Sequence, residues 1–448
     1  MNSFICSPWC AYIREMLFKT SSTTFLSLLL MSSFGLTHSA YANKPQAGGD
    51  ILIQEKETLE APDDVSFEQD QAREREQEVS EDPMAQRELD KVDNPEELKR
   101  QKDLLLKGYA SLRYRYRRYE GENVLGDSDT RVGGGISWRF KEHWRVFANG
   151  EIGISLLDEV DALLNQKGGT GENGLGDTIY RRLLYAGIET PRTTWTIGKN
   201  WSTYYQVSSY TDRFQGTGGS ASGTYNAGTD GGLTGTGRAD QVIQTRLLPK
   251  RISRFLHLKP VNINVQLQHG NSIPQVEDRN YGTAIGLSAQ IMTTSDFSAG
   301  LAYNFADIPN NQDPDIRAAG IDGDAQALLF GVKWFNDDWY IGTTVARLIN
   351  HETTDEDIYF YGTGWEVYAQ RRIIPKWWVI GGWNWLGPDA DQEQAGEYEI
   401  KYGVLGIRYS FDEFRRMIYT NIQFSGGSKA SGESASNFYT IGVRWDFP

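Results

Sequence analysis

The sequence predicts an all-β protein, a transmembrane antiparallel β-barrel of about sixteen strands occupying residues 101–448. Three observations carry that expectation. From Leu104 onward, apolar and polar residues alternate with a period of two. The connections between the alternating runs are tight at one end and mostly long and polar at the other. Aromatic residues gather where runs meet turns. Composition agrees: a formal charge of −14, 47 glycines and 12% aromatic residues make a chain that is polar on average although half of each strand is apolar. A large soluble β-protein has a similar composition, so the alternation and the turns must decide. Beyond the N-terminal region no run of about 18 apolar residues is present, which excludes a spanning helix.

Residues 1–42 read as an export signal for the Sec pathway. Lys19 precedes the apolar stretch 25–36, and Ala40 and Ala42 supply the small-x-small form of a cleavage site. Met16 begins a better-proportioned signal and is an alternative start. Cleavage removes Cys6 and Cys10, the only two cysteines, so the mature chain is expected to form no disulfide and no thiolate metal site. Residues 43–100 follow with 18 Asp and Glu against 8 Lys and Arg, counted along the sequence. Asp82 and Asn94 each precede a proline in the manner of a helix N-cap, but apolar residues are too sparse for a core. This segment is expected to be a periplasmic arm, partly helical or disordered.

The barrel begins at Leu104. Leu106, Ala110, Leu112, Tyr114 and Tyr116 alternate with Lys107, Ser111, Arg113, Arg115 and Arg117. In the second strand Val132, Ile136, Trp138 and Phe140 alternate with Arg131, Ser137 and Arg139. Further strands are expected near 144–156, 179–189, 194–200, 238–247, 260–270, 281–292, 296–306, 324–335, 338–349, 359–373, 377–387, 399–411, 416–425 and 436–447. The segments 141–143, 294–296, 336–338, 375–376 and 412–415 make tight turns, whereas 157–177, 307–323 and 388–397 make long loops. That asymmetry, with backbone pairing closed because lipid satisfies no open edge, marks an outer-membrane barrel. The final strand places Tyr439, Ile441, Val443, Trp445 and Phe447 on one face. It resembles the terminal signal read by the barrel-assembly machinery, with Pro448 as an extra residue at its end.

The most informative stretch is 182–246. It reads RLLYAGIETPRTTWTIGKN, then a polar connection beginning WSTYYQVSSYTDRFQG, then GRADQVIQTR. The connection exceeds thirty residues, is rich in Gly, Ser and Thr, and has no period of its own, which points to a functional loop. The pieces 182–187, 198–200, Tyr204 with Tyr205, 210–212, and Gly237 with Arg238 match, in order and spacing, the pattern of the Gram-negative general diffusion porins. The resemblance covers some 65 residues.

It implies that the third loop folds into the pore of a trimeric, sixteen-stranded barrel and narrows it. It also implies a pore constriction in which Arg131, Arg182 and Arg238 on the wall face Asp212 on the loop. Gln215 stands near the position of a second loop acid, and Arg213 adds a positive charge. Arg113, Arg115 and Arg246 are further basic residues on the lumen-facing parity. Lys199, on the opposite parity beside Trp195 and Ile197, is implied to lie at the trimer interface, with Glu172 or Asp177 of a neighbour as partner. Small positions near Gly187 and Ala239 are expected to pack between subunits.

The sequence offers little for catalysis. Four histidines remain after cleavage, His143, His257, His269 and His351, and no HExxH, P-loop or GxSxG occurs. No cofactor, metal or nucleic-acid partner is expected. The expected partners are outer-membrane lipid and lipopolysaccharide, two further copies of the chain, the assembly machinery, and small hydrophilic solutes and ions. The function read from the sequence is passive diffusion across the outer membrane. Two other readings stand beside it: a channel selective for sugars or small anions, and a structural anchor that tethers the envelope through residues 43–100. Wall arginines facing one clear loop acid make the waist less attractive to cations. Acidic external loops, with 40 acids against 35 bases over 101–448 by count, draw cations most strongly at low salt. Weak selectivity that moves towards anions at high salt is therefore expected.

Overall fold

The computed structural model describes residues 104–447, apart from 120–121, 128, 142, 156–178, 217, 248–260, 293–295 and 413–414. The export signal at 1–42, the acidic arm at 43–100, Glu172, Asp177 and His257 lie outside the described residues. Seventeen hydrogen-bonded segments form one antiparallel sheet that closes on itself. In chain order they are β1 (Leu104–Tyr119), β2 (Glu122–Asp127), β3 (Arg131–Lys141), β4 (Trp144–Ile154), β5 (Ile179–Glu189), β6 (Thr193–Trp201), β7 (Arg238–Leu247), β8 (Val261–His269) and β9 (Thr283–Met292). They continue as β10 (Phe297–Ala306), β11 (Ala325–Phe335), β12 (Trp339–Thr353), β13 (Tyr359–Ile374), β14 (Trp377–Pro388), β15 (Ile400–Asp412), β16 (Arg416–Ser425) and β17 (Phe438–Phe447).

β2 and β3 are two pieces of one strand. Both pair with β1, from Tyr119↔Glu122 to Tyr114↔Asp127 and from Ser111↔Arg131 to Leu104↔Trp138, and Asp129 between them takes a left-handed φ of 66°. The barrel therefore has sixteen strands, as the alternation predicts. Pairing of β1 with β17, from Ala110↔Phe447 to Tyr119↔Phe438, closes it and leaves no edge.

The side chains are arranged inside out relative to a soluble protein. Leu106 is 69% exposed and Ile197 60%, and Leu405, Ile407, Ile418, Ile422, Ile441 and Val443 are exposed as well. Their strand neighbours Asn421, Thr440, Arg444 and Asp446 are buried. In water, each large apolar side chain left exposed forgoes about 1.5–3 kcal/mol of burial. A continuous belt of them fits a hydrocarbon surround. At the ends of strands that meet tight turns, arginines lie over aromatic rings: Arg371 over Trp339 at 4.7 Å and Arg416 over Trp445 at 5.3 Å. Those rings can sit at the membrane boundary while the cations reach water.

Two irregularities shift the alternation. Glu151 pairs with Leu183 and Ile152 with Arg181, so Arg182 is the extra residue of a β-bulge on β5. Arg182 is thereby buried on the same side as Leu183 and Tyr185, while Leu184 and Arg181 are exposed. A second bulge lies between β6 and β7, where Gly198 pairs with Val242 but Asn200 pairs with Ala239, and Gln241 has a φ of 50°. It turns Lys199 and Asp240 towards each other. Ala239 becomes fully buried within the chain, which removes it from any contact between subunits.

Candidate lumen site

Residues 202–237 join β6 to β7, and those of them that are described bond to buried side chains of β8–β10 and β12–β14. A connection this long carries many backbone groups that must find partners once water is excluded. Wall side chains supply them. Gln290 Nε2 donates to the Gln206 carbonyl at 2.6 Å, Gln266 Nε2 to Gly235 at 2.7 Å and Asn304 Nδ2 to Thr234 at 2.8 Å. The Tyr340 hydroxyl donates to the Tyr210 carbonyl at 2.9 Å, and His351 Nε2 lies 2.7 Å from the Gly223 carbonyl. Glu366, wholly buried on β13, accepts from the amides of Ala221 at 2.7 Å and Ser222 at 3.0 Å and from the Thr211 hydroxyl.

The packing is equally close. Tyr204, Val207, Tyr210 and Ala221 form an apolar cluster with Ala302, Ala327, Leu329, Ala346 and Leu348 of the wall. At Gly342 and Gly364 a Cβ would overlap the carbonyl oxygens of Tyr210 and Ala221. Only glycine lets backbone approach backbone there.

Between this segment and the wall formed by β17, β1 and β3–β7 lies a cavity of about 930 Å³. All five residues expected at a constriction, Arg131, Arg182, Asp212, Arg213 and Arg238, line it, as do Arg113, Arg115 and Arg246. Arg182 Nε and Nη1 each make a 2.7 Å bond, to Glu151 Oε1 and Asp129 Oδ1 respectively. Arg131 Nε lies 3.5 Å from Glu151 Oε2, and the Tyr109 hydroxyl also donates to Glu151. Arg238 Nε lies 3.1 Å from Asp230 Oδ2 and its guanidinium stands over Trp201. Asp212 accepts from the hydroxyls of Tyr205 at 3.0 Å and Tyr225 at 2.7 Å, and Arg213 lies over the Tyr340 ring at 4.1 Å. Arg115 and Arg117 donate to the carbonyl of Gly216 at 3.3 and 2.8 Å. Arg246 bonds Asn264 and Gln206.

Lys199 departs from its expected place. Its ammonium is 7% exposed and sits 3.0 Å from carboxylate oxygens of both Asp230 and Asp240, so its partners are in its own chain. The bulge is the physical reason: its extra residue lies on β7, where Asp240 and Gln241 together face Lys199, and it brings the Asp240 carboxylate against the ammonium. Burial opposes ionisation of Asp230, but Arg238 and Lys199 outweigh it and hold its carboxyl below the usual carboxylate range.

Alternation alone does not assemble the counter-charges. Glu151, Asp129 and Asp230 neutralise the wall arginines, and none of them is in the set read from the sequence. Inward parity on β4 would have found Glu151, whereas Asp129 lies at a break and Asp230 in a loop. Arg117, Lys333 and Arg444 also line the cavity. The lining in total carries ten arginine and lysine side chains and four carboxylates among the described residues. No group of three or more His, Cys, Asp or Glu suited to a metal ion occurs among them.

No protein-family model and no curated protein sequence matches the chain. Solved structures do. OmpF of Salmonella typhi, in a complex with daunomycin, superposes with a TM-score of 0.60 at 18% identity over 77% of this chain and 97% of OmpF. The outer-membrane channel DcaP of Acinetobacter baumannii gives 0.53 at 11% identity over 77% of this chain and 97% of its own. OmpT of Vibrio cholerae, an outer-membrane protein with its loop L8 deleted, gives 0.52 at 15% identity over 77% of this chain and 100% of its own. At such identities the likeness is one of fold, the closed sixteen-stranded porin barrel.

Proposed function

We propose that the chain is an outer-membrane porin, a water-filled channel through which ions and small hydrophilic solutes diffuse without chemical change. The observation that carries this reading is the inverted barrel: apolar side chains cover its outside, and a cavity lined by charged side chains lies within the closed sheet. In hydrocarbon every backbone polar group needs an internal partner, which a closed antiparallel sheet provides. The charged lining is the kind of surface that water and ions occupy. In this proposal residues 202–237 fold into the pore and narrow it. Arg131, Arg182, Asp212, Arg213 and Arg238 form the constriction, with Arg113, Arg115 and Arg246 as further lumen cations.

The fold neighbours from outer membranes support the same location for this chain, with 1–42 as the Sec signal that sends it there. A trimer form is described for OmpT of Vibrio cholerae, a fold neighbour at TM-score 0.51 and 14% identity. That supports a homotrimer here. Purified protein added to a planar lipid bilayer should produce stepwise, ohmic conductance increases, and liposomes containing it should swell in small sugars but not in large ones. A folded, inserted barrel that gives no conductance step in either assay would rule the channel out.

A further inference from the structure

Resting on the channel reading above, we infer that the wall formed by β1 and β17 carries a dwelling site for small oxyanions with two negative charges, built on Arg113, Arg115 and Arg444. The first argument is where charge is already satisfied. Arg182 and Arg131 face Glu151, Arg182 also holds Asp129, and Arg238 holds Asp230. These pairs leave the β3–β7 side close to neutral, and the surplus of ten cations over four carboxylates falls largely elsewhere in the cavity.

The second argument is geometric. Arg113 and Arg115 are two residues apart on one strand and line the same cavity, so their Cα atoms stand about 7 Å apart. Arg113 lies directly opposite Arg444 in the β1–β17 register. Like charges so placed repel each other. Arg444 is offset by Asp446 at 2.8 Å, and that carboxylate and Asp129 also act on Arg113 from further away. The guanidinium of Arg113 itself donates through Nε to the Ser111 hydroxyl rather than to a carboxylate. Its Nη2 is buried without a hydrogen-bond partner. A guanidinium can fit two oxygens of one carboxylate or phosphate, and Nη2 is the donor of Arg113 left to begin such a contact. Arg115 reaches across to the loop carbonyl of Gly216, so a second donor group stands where the passage is bounded on its far side.

An anion with two charges meets Arg113 and Arg444 together, relieves their repulsion, and can be handed to Arg115 as it moves. A singly charged anion gains less from each step. Carboxylates and phosphate share the required chemistry, and the test separates them. The full-length mature protein is reconstituted in a planar bilayer under a potassium chloride gradient. Inorganic phosphate at mildly alkaline pH, malonate and acetate are then added in separate arms. The wild type should pass chloride more readily than potassium. Phosphate, malonate or both should reduce the chloride current saturably, and acetate should not. Block by one dianion alone assigns the site to that chemistry.

Arg113→Gln and, independently, Arg115→Gln should each lower the chloride-to-potassium permeability ratio about three- to fivefold and raise the concentration needed for block. Arg317→Gln, which removes the same charge from the loop between β10 and β11, should change neither. Two variants on separate residues keep the test decisive if one of them fails to assemble. A pore that conducts but prefers potassium, or block that survives both substitutions, would overturn the site alone. Absence of any conductance would instead overturn the channel reading and the site with it.

Discussion

Among single residues, Lys199 is the one whose surroundings most constrain it. Removing its ammonium by Lys199→Met leaves Asp230 and Asp240 facing each other across a largely buried pocket. Loss of one partner of an isolated buried pair costs about 3–5 kcal/mol. Here Arg238 still reaches Asp230 at 3.1 Å and Arg181 still reaches Asp240 at 3.6 Å, so the expected loss is nearer to about 1–3 kcal/mol. It should appear as a lower temperature at which the folded barrel loses its fast electrophoretic migration. Acid should act in the same direction. The Asp230 carboxyl titrates below its unfolded value, so its contribution is complete above the unfolded pKa and disappears as pH falls through the lower folded one. Asp230→Asn should therefore weaken the acid-induced part of the loss, measured as the same transition followed downward from neutral pH. The position of Lys199 was not legible in the sequence. Strict alternation sets it on the parity of Trp195 and Ile197, and the bulge that brings Asp240 against it lies in β7, forty residues further on. Arg182 illustrates the same limit with the opposite outcome, since a bulge puts it on the lumen side together with Leu183 and Tyr185.

Among elements, the segment 202–237 is the one whose conformation depends on the rest of the barrel. Its existence was legible from length and composition, but its anchors were not, because Glu366, Gly342 and Gly364 lie more than a hundred residues away in sequence. Glu366→Ala would leave the Ala221 and Ser222 amides without their acceptor, at about 1–3 kcal/mol for each group that water does not reach. The strands carry their own ladders, so the barrel should still insert. The expected result is faster proteolysis within 202–237 and larger, noisier single-channel steps. Gly364→Ala tests the same attachment through sterics. A methyl group there meets the Ala221 carbonyl, which is backbone and cannot rotate aside, so the segment must lift from the wall. Unchanged conductance in both variants would mean that the segment does not limit the passage.

For the whole molecule, closure is the property that the sequence made most legible. Sixteen strands, the tight turns and the apolar outer parity all follow from a period of two and from turn residues, which are local signals. The break at Asp129 within one strand is not local, because it answers to the partner strand β1. Assembly supplies one prediction at this scale: if three copies associate, mild detergent extraction should yield a trimer that dissociates to monomer on boiling, and a strictly monomeric species would count against it. The last prediction concerns the acidic arm. All the ladders that close the barrel lie within the described residues: β1 pairs with β17 through residues 110–119 and with β3 through 104–111. The terminal aromatic positions that resemble the assembly signal belong to β17. An arm with few apolar residues has little to add to such a closed sheet. Deleting residues 43–100 behind an intact signal should therefore leave heat-resistant migration and single-channel conductance at wild-type levels. If the shortened protein accumulates unfolded, the arm takes part in assembly, and β1 is not a sufficient start for the barrel.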